Sequence, residues 1–257
     1  MIAPLSGVGR QIRWEQRVYW RNPAAFSFTF AFPLMFLVIF VAINGNDSVD
    51  VSNGSVKFAQ YYVPAIIAFG LISACYTNLA FTICNRRESG ELKRTRGTPL
   101  EPTVYLAGIA GNVIVVALIL TALVTALGLI AYGVTFPGRY LAMLINIAVG
   151  AFCFAALGVA ISTFIPNEDA APAIINFALF PLLFISGTFG SVSATSALGR
   201  IAAVFPVRHL NQAMVEVFNP FGGGNGIEPG HLAVMLAWGI GATLVSLRRF
   251  RWEPRRA

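Results

Sequence analysis

The chain has 257 residues, of which 56% are hydrophobic and 11% charged, and its mean hydropathy is +0.70. Soluble domains carry roughly 25% charged residues, so the composition excludes an ordinary soluble fold and points to a polytopic membrane protein. The net charge of +7 does not mark a nucleic-acid binder, because the cations stand in blocks beside apolar runs, the usual pattern of cytoplasmic membrane-protein loops.

The first segment, SGVGRQIRWEQRVYWRNP, has helical periodicity. Arg10, Arg13, Arg17 and Arg21 share one face, Val8, Ile12 and Tyr19 lie opposite, and Trp14 and Trp20 flank them. This predicts a helix over 6–22 in the membrane interface, apolar face toward lipid and arginines toward lipid phosphates. Anchoring is the reading adopted; contact with a cytoplasmic partner is the alternative. Asn22-Pro23 ends the helix, because a residue before proline is pushed out of the helical region.

Six stretches free of Asp, Glu, Lys and Arg follow, at about 24–43, 61–84, 104–132, 140–165, 171–189 and 231–247. Each approaches or exceeds the about 20 apolar residues that cross a bilayer. The first has no convincing small-residue cleavage site after it and is expected to be retained rather than removed as a signal peptide. Fourteen cations fall in the N-terminal segment, in 85–103 and after 247, against Lys57, Arg139, Arg200 and Arg208 in the other connections. The bias places both termini and the 85–103 loop in the cytoplasm. The loop 44–60 is turn-rich. Residues 190–229 hold two short apolar stretches broken by Pro206, either surface helices or a re-entrant hairpin dipping back. The expected fold is all-α and integral to the membrane. It has six spans, an interface helix, a cytoplasmic coupling loop and an outer helical hairpin in one permease domain, 1–257.

Several chemistries lack their residues. There is no G-x-x-x-x-G-K-[ST], so no ATP cradle, and no H-E-x-x-H or G-x-S-x-G. No catalytic residue and no metal ligand set is assigned. His209 and His231 are 22 positions apart and each is read as an isolated interfacial residue. Cys75, Cys84 and Cys153 are read as small packing residues. With no ionisable group inside the spans, an ion-driven transporter lacks its midplane charges. Any energy for transport must then enter through another chain that touches this one from the cytoplasm.

That argument leads to the charged loop NRRESGELKRTRGTPLEPT at 85–103. Residues 86–96 are long enough for about three helical turns, stopped by Gly97 and Pro99. Arg87 and Glu91 stand at i, i+4, a pairing suited to a solvated face. Docking to a protein groove and a merely solvated loop are both consistent with this pattern.

The stretch NRRESGELKRTRGTPLEPTVYLAG resembles the cytoplasmic loop of type-2 ATP-binding-cassette (ABC) transporter permeases. That loop has an Arg-Glu-x-Gly-like start, a basic run and a Thr-Pro-Leu-type turn. Residues 180–214 resemble the family's signature near the fifth span through Pro181, Ser186-Gly187 and Pro206, and Arg21-Asn22-Pro23 and the total length agree. The daunorubicin-resistance-like permeases are the subgroup suggested, although Ser193-Ala194-Thr195-Ser196 departs from its bulkier hairpin. The resemblance implies a permease dimer, with itself or a related chain, in a bacterial cytoplasmic membrane, served by two cytoplasmic ATPase subunits that hold ATP and Mg. No cofactor is expected in this chain, and membrane lipids are its other expected partners. Arg86, Arg87, Glu88, Gly90, Glu91, Lys93 and Arg94 would couple to the ATPase. The path would run between the permeases past Phe69, Tyr76, Asn78, Asn176, Phe177, Phe180 and Phe184. So apolar a lining suits an amphipathic drug, antibiotic or lipid, and the resemblance implies its export. A membrane scaffold without a transport path is the alternative.

Overall fold

Proline sets the starts of several helices, because its fixed φ suits the first turn and its missing N–H is not needed there. The computed structural model describes residues 5–51, 54–136, 138–188, 196–221 and 224–250. Its elements are α1 (Leu5–Trp20), α2 (Pro23–Asn44), a hairpin of β1 (Ser48–Val51) and β2 (Gly54–Lys57), α3 (Phe58–Ile72), a π-helical segment (Ser73–Asn78), α4 (Leu79–Glu88), α5 (Glu91–Arg96) and α6 (Pro102–Tyr132). These are followed by α7 (Tyr140–Ser162), α8 (Ala171–Ile185), α9 (Ala197–Ala202), α10 (Pro206–Phe218) and α11 (Pro229–Arg249). Residues 189–195 of the predicted outer hairpin, the first two glycines of the 222–226 loop, and Arg251, Arg255 and Arg256 lie outside the described residues.

A helix occupies each of the six predicted stretches. Four are long and apolar enough to cross a membrane: Phe58–Glu88, Thr103–Tyr132, Tyr140–Ser162 and Pro229–Arg249. α2 runs for 22 residues, about 33 Å, while Ala171–Ile185 is a shorter apolar helix. The 15 residues of α8 give about 22 Å of helix, less than the about 30 Å of hydrocarbon. The expectation of a fifth span reaching 189 is corrected: α8 ends at Ile185, and Ser186 turns back to donate its hydroxyl to Leu183 O at 2.8 Å. The all-α expectation is corrected in one place, where the antiparallel ladder Ser48↔Lys57 to Val51↔Gly54 replaces a loop.

The core centres on α3, which apart from Tyr61 is buried from Ala59 through Ile72. Around it the outward faces are apolar instead of polar: Ile43, Ile130, Leu141, Phe177 and Leu247 are all exposed, as expected where the solvent is lipid. The predicted second span is one apolar run in sequence but not a uniform helix. Its middle, Ser73–Asn78, is a π segment, a geometry with one extra residue per turn that recurs at functional sites. Gly158 of α7 packs against it, so closely that a Cβ there would stand 2.8 Å from Tyr76 O and 3.0 Å from Cys75 O.

The segment after α8 folds back along the spans. Arg139 Nη1 donates to Glu216 O at 2.6 Å and Asn146 Nδ2 to Ala213 O at 3.3 Å. Gly150 faces Leu210, and Phe154 shares a cleft with Pro206 and Val207. Thus α10, 13 residues and about 20 Å long, runs antiparallel to α7. α10 therefore packs along the spans. It takes inward two residues assigned to outer connections. Arg208 is buried and donates to Gly199 O at 2.9 Å. His209 Nδ1 meets His231 Nδ1 at 2.8 Å, while its Nε2 donates to Ala203 O at 2.8 Å. The histidines are therefore a contacting pair, a correction to their reading as separate interfacial residues.

Gly158→Ala forces a methyl against backbone that no rotamer change can move, an overpacking cost of about 1–3 kcal/mol. The expected outcome is a lowered unfolding midpoint in detergent. Gly241→Ala, where nothing lies within 4 Å of the added Cβ, leaves the midpoint unchanged.

Candidate functional site

The charged loop is not one helix. α4 carries Arg86 and Arg87 in its last turn, where cations complement the helix dipole. The chain then turns at Ser89-Gly90, and Gly90 has φ 72°, a conformation open to glycine at little cost. α5 restarts at Glu91 and ends at Gly97 as predicted. The expected continuous helix over 86–96 is thus corrected to two helices joined at Gly90.

The two arginines leave α4 for different partners. Arg86 makes a bidentate contact with Glu15 of α1, Nη1 to Oε1 at 2.8 Å and Nη2 to Oε2 at 2.7 Å. Its Nη1 also donates to Tyr105 Oη of α6 at 3.0 Å, and its Nε stands 3.4 Å from Glu91 Oε1. Trp14 and Tyr105 place ring faces 5.9 Å from the guanidinium. Gln11 Nε2 donates to Glu15 Oε1 at 3.0 Å, completing the shell around a carboxylate that is 3% exposed. Arg87 is buried and donates to Ser162 O at 2.9 Å and Ile165 O at 2.7 Å. It thereby satisfies carbonyls at the end of α7 that have no partner further along the helix. The Arg87–Glu91 pair expected on a solvated face does not form. Glu91 meets Arg86, and the nearest carboxylate to Arg87 is Glu88, 3.8 Å from its Nε, an ion pair too long for a hydrogen bond.

The interface helix takes part in the same cluster. Its arginines are exposed, as the spacing predicts, and its other face packs on protein. Gln11 and Ile12 lie where Gly108 and Gly111 of α6 would carry side chains, and Gln16 Nε2 donates to Asn112 Oδ1 at 2.8 Å. Ile12, expected to face lipid, instead lies against Gly111 of α6. Trp14, Val18 and Trp20 remain exposed beside it. What the loop leaves on the surface is α5: Leu92 is buried as its anchor while Lys93, Arg94 and Arg96 are exposed.

Four of the seven predicted path residues come together. Phe69 and Asn78 from α3 and the π segment and Asn176 and Phe180 from α8 line a groove of about 390 Å³, with Thr29, Phe32 and Pro33 of α2 opposite. The π segment turns Ser73, Thr77 and Asn78 toward it, so its floor carries hydroxyls and an amide between apolar walls. Sequence periodicity missed Ser73 and Thr77, which read there as small residues of an ordinary span. Tyr76 faces away, into a different cleft. Phe177 and Phe184, 83% and 64% exposed, line neither this groove nor the cleft of Tyr76. They lie on the exposed face of α8, and Met35 and Ile39 of α2 are exposed as well.

The family profile described as ABC-2 family transporter protein matches residues 44–248. The chain is 20% identical over 167 residues to the probable multidrug ABC transporter permease YbhR of Escherichia coli K12, a stretch covering 65% of this chain and 45% of that protein. It is 24% identical over 160 residues to the inner membrane transport permease YadH of the same strain, 62% of this chain and 61% of the relative. The permease of that name from Shigella flexneri matches equally. The matched stretch thus spans about half the length of these relatives.

Removing Glu15 leaves Arg86 buried without its carboxylate, so Glu15→Ala is expected to cost about 3–5 kcal/mol. Glu15→Leu combined with Arg86→Met regains most of it. Arg87→Lys keeps the charge but loses the two-pronged contact, costing about 1.5–3 kcal/mol. Denaturant unfolding of the purified variants checks all three values.

Proposed function

The chain belongs to the ABC-2 transporter family, and on that premise we propose that it is the permease subunit of an ATP-driven exporter in a bacterial cytoplasmic membrane. In this reading six helices cross the bilayer with both termini in the cytoplasm, and the short α8 completes its crossing within a dimer. A separate ATPase subunit binds ATP and Mg and docks on α5. The cargo is an amphipathic compound, a drug, antibiotic or lipid. The observation that carries the proposal is the groove between α2, the π segment and α8. It is open along one side and flanked by exposed phenylalanines, which is the shape of half a path awaiting a second permease.

The division of labour follows from the site. Apolar walls hold the body of an amphipathic molecule, and the few convergent polar groups, Ser73, Asn78 and Asn176, orient it. Arg86, Arg87 and Glu88 act from inside, transmitting displacement of α5 to α1, α6 and α7. Lys93 and Arg94 face the ATPase. Glu91 and Gly90 form the joint between the two groups. Phe177 and Phe184 belong to the contact between permeases. A buried two-armed connection suits force transmission, since a push on α5 cannot be absorbed by α4 alone.

Reconstitution with the cognate ATPase tests this reading. Lys93→Glu with Arg94→Glu is expected to lower compound-stimulated ATP turnover about tenfold, equivalent to about 1.4 kcal/mol, with the permease still folded. Asn176→Ala or Phe180→Ala raises the compound concentration needed for half-stimulation several-fold. Phe177→Ala weakens permease pairing in crosslinking instead. If nucleotide hydrolysis proceeds independently of this chain and of all its variants, the scaffold reading replaces the exporter.

A further inference from the structure

A second cleft lies behind the groove, between α7, α8 and α11. It is larger, about 680 Å³, and its surface is apolar almost throughout. The two cavities have only Leu179 in common, and none of the polar residues of the groove reaches the cleft. The cleft is therefore not a continuation of the proposed path.

Its two ends differ in chemistry. At one end the rings of Phe205 and Trp238 stack with centroids 5.7 Å apart, and Trp238 Nε1 donates to Val204 O at 2.8 Å. The folded-back hairpin thus forms a fixed stop. At the other end stands Phe164, and the guanidinium of Arg249 lies 5.2 Å over its ring. Along α11 the wall runs from Ala237 to Val245, about 12 Å of helix. One leaflet contributes about 15 Å of hydrocarbon, so the cleft is as deep as most of a leaflet. Water would find almost no polar partner inside it.

We propose that this cleft is a phospholipid site of the leaflet at the Arg249 end: one acyl chain lies along α11 up to the Phe205–Trp238 stop, and Arg249 holds the lipid phosphate. The occupant follows from both ends together. Hydrocarbon alone gains little by leaving other hydrocarbon, because lipid tails are as apolar as the wall. Selection must then come from the head, where a planar guanidinium suits a phosphate. A free phosphate, conversely, would have no use for the apolar slot. Arg249 is exposed at the helix end, where long cationic side chains reach the interface.

Gly241 supplies a clean test. It lies on the cleft wall, and a Cβ there meets nothing within 4 Å, so a larger residue fills the slot without pushing on protein. The full chain is purified in neutral detergent without an ATPase, stripped of lipid, and titrated with phosphatidylglycerol and with diacylglycerol, bound lipid being counted by native mass spectrometry. Wild type is expected to retain phosphatidylglycerol and not diacylglycerol. Gly241→Leu abolishes retention, and Arg249→Gln weakens it about tenfold, a surface change that leaves the lipid-free unfolding midpoint intact. Equal retention by wild type and both variants, or diacylglycerol bound as well as phosphatidylglycerol, overturns the proposal. Transport and ATP turnover do not enter the readout, so the result stands apart from the exporter reading.

Discussion

Adjacent arginines at the end of α4 point about 100° apart on the helix, and the charged end of the molecule depends on what they reach. Arg86 closes a bidentate bond on Glu15 and a second on Tyr105, joining α1, α4 and α6. Arg87 caps the end of α7 through two carbonyls. Burial makes both contacts consequential, since an ion withdrawn from water without its partner is strongly unfavourable. The same burial removes these residues from any direct role in meeting another protein. The exposed cations of α5 are then left as the outward surface, connected to the spans through a glycine joint.

Above this platform the spans enclose two spaces of opposite character. The groove beside α2 has polar groups on its floor because a π segment interrupts the helix and turns Ser73, Thr77 and Asn78 to one side. Gly158 permits the geometry by letting α7 approach the carbonyls of that segment. The cleft beside α11 has no such floor and ends on aromatic rings. Both spaces owe their limits to helices that do not run the full depth of the bundle: α8 stops after 15 residues, and α10 fills part of the volume beyond it from the opposite end. The hairpin brings Arg208 and the His209–His231 pair with it, each with a hydrogen-bond partner, which meets the requirement that buried polar groups be paired.

Much of this architecture was legible in the residues. Apolar runs located six helices, Gly97 ended α5 where expected, and the spacing of Arg10, Arg13, Arg17 and Arg21 gave the outward face of α1. Phe69, Asn78, Asn176 and Phe180 share one groove. Tyr76, Phe177 and Phe184 do not, because hydropathy identifies what a span contains but not which way each side chain faces when lipid and protein are equally apolar. The kink at Gly90 was hidden for a different reason. A glycine within a charged, helix-prone run tolerates helix and left-handed turn alike, and packing of Leu92 selects between them.

The sequence by itself determined that this chain is a membrane protein, where its helices lie, and which segment carries charge, because hydropathy, proline placement and charge act locally. Only the tertiary structure decided that Arg86 pairs with Glu15, 71 residues away, and that Arg87 caps carbonyls 75 and 78 residues away. It also decided that α10 turns back along α7. Those outcomes rest on desolvated polar groups finding partners across long separations, and the partner chosen is the one that packing brings within about 3 Å.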